Sequence, residues 1–105
     1  MKKVILILGL LITISFGATL EEATIAYNKG DYQTTKTIFE DLASKGDATA
    51  QHNLGVMYDF GKGVKQDYFK AKEWYEKAAN QGHASAQYNL GVMYDFGKGV
   101  KQDYF

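Results

Sequence analysis

Two Asp-Phe-Gly triplets, Asp59-Phe60-Gly61 and Asp95-Phe96-Gly97, are the first candidates for chemistry, because such a triplet holds magnesium in kinases. That chemistry also requires a glycine-rich loop, a strand lysine and a catalytic loop in a far larger domain than 105 residues provide. The triplets are therefore expected in interhelical turns. Gly61-Lys62-Gly63 lacks the frame of a phosphate loop and follows no strand, so it is expected as a turn too. His52 and His83 are the only imidazoles, 31 positions apart and outside any H-E-x-x-H arrangement. The residue 36 positions after His52 is Tyr88, so the repeat described below does not require an imidazole there. The S-x-x-K, S-D-N and K-T-G motifs of serine β-lactamases are absent. Ser44 and Ser85 fall near expected helix ends, and the acid pairs Glu21-Glu22 and Glu40-Asp41 read as solvated helix faces. No catalytic, cofactor-binding or metal-ligating residue is assigned.

The elements that would position any site follow from composition and periodicity. Eight Tyr, six Phe and one Trp supply core material, while Pro, Arg and Cys are all missing. Without Arg the bidentate forks suited to phosphate are missing, and without Cys no disulfide can form. The N-terminal segment has Lys2 and Lys3, then an apolar stretch from Val4 to Ile14, then Ser15-Phe16-Gly17. Val4–Phe16 is 13 residues, short of the ~20 that cross a bilayer. Residues 1–17 are expected to be a signal peptide cut after Gly17, making the protein periplasmic or secreted with no stable membrane insertion after cleavage. From Ala18 onward ten Lys face twelve acids, a net charge of −2, which offers no footprint for nucleic acid.

The block NLGVMYDFGKGVKQDYF occupies Asn53–Phe69 and again Asn89–Phe105, an offset of 36. The same offset links Ala50-Gln51 to Ala86-Gln87, Asp31-Tyr32 to Asp67-Tyr68, and Gly46 to Gly82. Before Asp31 the offset falls to 31, so the first unit lacks five residues between its helices. Three units are expected: a short one at 18–46, a full one at 47–82 and an incomplete one at 83–105. In the full unit Ala50, Gln51, Leu54, Gly55 and Tyr58 share one helical arc. Small residues there should let another backbone approach. Gly61-Lys62-Gly63 breaks the helix, Val64 tucks back as a plug, and Asp67 caps the next helix. Ala71, Trp74, Tyr75, Ala78 and Ala79 form the apolar face of that second helix. Each pair leaves an apolar face that only a neighbour can cover, so an all-α fold is expected, a right-handed α-solenoid whose last repeat is incomplete.

The segment Ala48–Gly82 fills the pattern AxAQxxLGxxYxxGxGVxxDxxKAxxWYxKAAxxG, and this resembles a Sel-1-like repeat, the longer relative of the tetratricopeptide repeat. Unit one, AYNKGDYQTTKTIFEDLASKGD, is closer to a plain tetratricopeptide unit. The resemblance implies a scaffold or adaptor that binds protein or peptide partners. It also implies an alternative, because exported cysteine-rich members are associated with penicillin binding and β-lactamase or peptidoglycan-related hydrolase activity. This chain has none of their cysteines.

Opposite the buried arc of each first helix point His52, Asn53, Val56 and Phe60, matched by Tyr88, Asn89, Val92 and Phe96. Inner helices of solenoids line the surface used for partners. These eight residues are the candidate partner-binding set, the Asn amides hydrogen-bonding an extended peptide backbone; the competing reading has them contacting neighbouring units. A last expectation concerns the incomplete unit, where Leu90, Met93 and Tyr94 should stand uncovered and promote self-association. A third functional reading, a truncated fragment without an independent role, follows from the same feature.

Overall fold

The computed structural model describes residues 18–100. It contains α1 (Leu20–Asn28), α2 (Tyr32–Ser44), α3 (Ala48–Phe60), α4 (Tyr68–Ala79) and α5 (Ala84–Phe96), with no strand among the described residues. Residues 1–17, the expected signal peptide, and 101–105 lie outside this range.

Each helix starts on a side chain that satisfies a free backbone N–H. Thr19 and Glu22 form a reciprocal capping box on α1. Asp31, Asp47 and Asp67 accept from the N–H of Thr34, Ala50 and Lys70 at 3.2, 2.8 and 3.1 Å. His83 stands where Asp47 stands one repeat earlier, and its Nδ1 accepts from Ala86 N–H at 3.2 Å. Helices α3 and α5 end on left-handed glycines, Gly61 at φ 68° and Gly97 at φ 67°. The five-residue deficit of unit one is divided between a three-residue connection at 29–31, against seven at 61–67, and a first helix one residue shorter at its end.

Each helix packs on the next, α1 on α2 through to α4 on α5, which is the sequential contact pattern of an α-solenoid of helix–turn–helix repeats. One core cluster joins Ala23, Ile38, Phe39, Ala43, Ala50, Leu54 and Met57, with Val64 folded back against it as the expected plug. The next joins Ala71, Tyr75, Ala78, Ala86 and Met93. The repeats are also stitched by equivalent hydrogen bonds. Gln51 Nε2 donates to Ala43 O, and Gln87 Nε2 donates to Ala79 O, both at 3.2 Å. Gln81 adds bonds to Gly46 O and Gln51 Oε1 at 3.0 and 2.9 Å. Ala43 O and Ala79 O, which already accept from Gly46 N–H and Gly82 N–H, thereby gain a second donor from the next repeat.

Three expectations are corrected. Asp59 and Phe60 belong to the last turn of α3, so only Gly61 of that Asp-Phe-Gly triplet lies in a turn. Gly55 makes room for an aromatic ring, not a backbone: a Cβ there would lie 2.5 Å from Cδ1 and Cε1 of Tyr75. Met93 is not uncovered, being 1% exposed. It sits on the side of α5 that faces α4, among Ala71, Tyr75, Ala78 and Ala86, while Leu90 and Tyr94 are half-buried.

Candidate interaction surface

The eight candidate residues divide into three environments. Asn53 and Val56 line a cavity of about 180 Å³ between α1 and α3, together with Thr24, Tyr27, Phe39, Met57 and Lys62. Val56 also packs against the second core cluster. Phe60, Tyr88 and Phe96 are exposed at 64%, 72% and 69%, and Val92 is half-buried. His52 and Asn89 meet each other.

That meeting is the most ordered part of the surface. Asn89 Nδ2 donates to His52 Nε2 at 3.0 Å, and His52 Nδ1 donates to Asn53 Oδ1 at 3.2 Å. Both bonds are satisfied together only by a neutral ring carrying its proton on Nδ1. The His52 ring stacks on His83 with centroids 4.7 Å apart and lies 5.8 Å from the Tyr75 ring. Burial, then the charge of His83, hold His52 below its ordinary pKa, partly offset by the bond to Asn53.

Behind this layer Tyr75 is fully buried, and its hydroxyl donates to Asp59 Oδ2 at 3.0 Å. Burial pushes the phenol well above its usual pKa; the Asp59 charge and hydrogen bond push the same way, and a hydrogen bond with Asn89 opposes them. Asp59 also serves the turn through its backbone carbonyl, which accepts from Gln66 Nε2 at 2.7 Å. The aspartate of the kinase-like triplet is thus a buried acceptor that fixes α4 on α3. Among the described residues no three of His, Asp and Glu stand close enough to hold a metal ion. No described helix is long and apolar enough to cross a membrane.

Sequence reasoning missed Thr24, Tyr27 and Phe39 as cavity walls. Thr24 and Tyr27 belong to the short unit and align with Gly55 and Tyr58, so repeat matching gave them no counterpart in the candidate set. It also missed His83 as a cap, although the offset of 36 from Asp47, a strong capping residue, carried that signal.

A row of helix pairs coupled through equivalent positions, with polar and apolar side chains along its first helices, defines a repeat solenoid. The Sel1 repeat family model matches residues 48–83 and 84–105. The chain belongs to the Sel1 repeat family, whose repeats generally mediate protein–protein interaction. The crystal structure of a Sel1 repeat protein from Oxalobacter formigenes is similar at a TM-score of 0.75 and 41% identity, over 81% of this chain and 35% of that one. The structure of c5321, a protective antigen of uropathogenic Escherichia coli strains displaying an SLR fold, is similar at 0.76 and 38%, over 81% of this chain and 19% of that one. The chain thus spans about a third and a fifth of the length of those structures. No curated protein matches it.

Proposed function

We propose that the protein is an exported, non-catalytic scaffold that binds an extended peptide segment of a protein partner along the face shared by α1, α3 and α5. The observation that carries this reading is the cavity between α1 and α3, where Asn53 supplies an amide beside the apolar walls of Val56, Tyr27 and Phe39. Recognition sites of this kind combine apolar lining with a few placed polar groups. The exposed rings of Phe60, Tyr88 and Phe96 extend the apolar surface beyond it. The export component rests on the charge and apolar pattern of residues 1–17.

The test is selection from a peptide display library on the full chain, followed by titration of the enriched peptides. Tyr27→Ala and Tyr88→Ala remove exposed rings without opening a core, and each should weaken binding about tenfold, as loss of an aromatic anchor does. Enrichment of no peptide, or equal affinity in both variants and the parent, refutes the binding face. Nitrocefin turnover by the parent chain would refute its non-catalytic character. Fractionation of expressing cells, with N-terminal sequencing, tests export separately and should find a chain starting at Ala18 outside the cytoplasm.

A further inference from the structure

We propose that the stacked His52–His83 pair is a pH latch that holds α5 against the preceding repeat while both rings are neutral and loosens it when they gain protons. Two ring nitrogens of the pair are acceptors. His52 Nε2 must be unprotonated to accept from Asn89 of α5, and His83 Nδ1 must be unprotonated to accept from Ala86 N–H. A proton on His52 places two donors face to face across 3.0 Å, and a proton on His83 does so across 3.2 Å. A cationic His83 also puts positive charge at the N-terminus of α5, the end of a helix that disfavours it. Two cations stacked at 4.7 Å repel in addition.

Among the described residues no anion is placed to compensate, and the charge that bears on His52 is that of His83. From α4 the Tyr75 ring lies 5.8 Å from that of His52, its hydroxyl already committed to Asp59 of α3. The other ionisable groups of α4 look elsewhere: Lys72 pairs with Glu76, Lys77 lies over Trp74, Lys70 lies over Tyr58, and Glu73 lines an outer groove with Glu40. On α2, Lys36 pairs with Glu40 and Asp41 with Lys45. Asp47 caps α3 five residues before His52. Asp95 lies 12 residues from His83 along α5, roughly 18 Å by helical rise. The preceding repeat has Asp47 in the place of His83, so only the junction with α5 carries the latch.

The sign follows from the contacts. The folded contacts of His52 prefer its neutral ring, so the stability tied to them is complete above the ordinary histidine range near pH 6.5 and is lost as pH falls below it. His52 and His83 are the only histidines in the chain, so a variant lacking both is a clean control. Hydrogen exchange of the full chain, read as the ratio of α5 to α2 amide protection at pH 7.5 and pH 5.5, tests the proposal. The parent ratio should fall between pH 7.5 and pH 5.5. In His52→Gln/His83→Asn, which retains polar partners without titration in this range, the ratio should stay flat. The single variant His83→Asp supplies the Asp47-type cap at both pH values and should remove or reverse the fall. A flat parent ratio overturns the latch, as does an equal fall in the parent and in His83→Asp.

Discussion

Alanine at Gly55 and alanine at Gly91 are the same substitution in the same local sequence, NLGVMYDF, yet the structure gives them opposite signs. Both glycines lie inside helices, α3 and α5, where replacing Gly by Ala stabilises by about 1 kcal/mol when the new methyl meets nothing. At Gly91 no atom of the described residues lies within 4 Å of the added Cβ, so that gain should be realised. At Gly55 the methyl would stand 2.5 Å from two carbons of the Tyr75 ring. Carbon contacts settle near 3.5–4.0 Å, so ring or helix must retreat by roughly 1 Å. Tyr75 is fully buried and its hydroxyl is tied to Asp59, so the retreat strains packing and the hydrogen bond together. Overpacking costs about 1–3 kcal/mol, and weakening a bond to a buried acceptor adds about 1–3 kcal/mol if it breaks. After subtracting the propensity gain, Gly55→Ala should lose about 1–5 kcal/mol with the bond broken, while Gly91→Ala gains up to about 1 kcal/mol. Urea and thermal unfolding followed by circular dichroism measure both. For a domain of this size each kcal/mol moves Tm by about 4–8 °C, so the two variants should fall on either side of the parent. Equal shifts in one direction would show that the close approach of α3 and α4 at Gly55 is not what this reasoning takes it to be.

Two further outcomes follow from the buried contacts. Tyr75→Phe leaves the Asp59 carboxylate without its hydroxyl donor and should cost about 1–3 kcal/mol in urea unfolding. Because the folded state raises the Tyr75 pKa, the stability tied to its neutral form is present below about pH 10 and lost as pH rises beyond it, and the Phe variant should show a shallower alkaline loss. Gln51→Ala should cost about 1–2 kcal/mol in the same measurement, since the buried side chain bonds both Ala43 O and Gln81. Gln87→Ala, at the equivalent but exposed position, removes only the bond to Ala79 O and should cost less than half as much; equal costs would contradict the stitching described here.

Much of the architecture was legible before any coordinate. Asp67 as a cap, Gly61 as a left-handed stop and Val64 as a plug all appear as expected, because each depends on a few neighbours along the chain. The buried faces of α3 and α4 were likewise readable from helical spacing, with Ala50, Gln51, Leu54 and Gly55 on one and Ala71, Tyr75 and Ala78 on the other. The candidate surface was legible only in part. Asn53 and Val56 do line a cavity, but its facing walls, Thr24, Tyr27 and Phe39, come from α1 and α2, at sequence separations that no periodicity encodes. His52 and Asn89 are 37 residues apart, and their bond depends on how two successive repeats settle against each other.

The repeated 17-residue block marks the division between the two kinds of information. By itself the sequence determined the period, the helices, the Asp67 cap and the family, since these are written in local propensity and in recurrence. Tertiary structure decided what each copy experiences. Gly55 meets a ring and Gly91 meets no described residue, although the surrounding letters are the same. Asp47 and His83 occupy one repeat position, yet only His83 stacks on a second imidazole. The physical reason is that burial and electrostatics belong to the neighbour across the groove, and identical segments in a solenoid need not have identical neighbours.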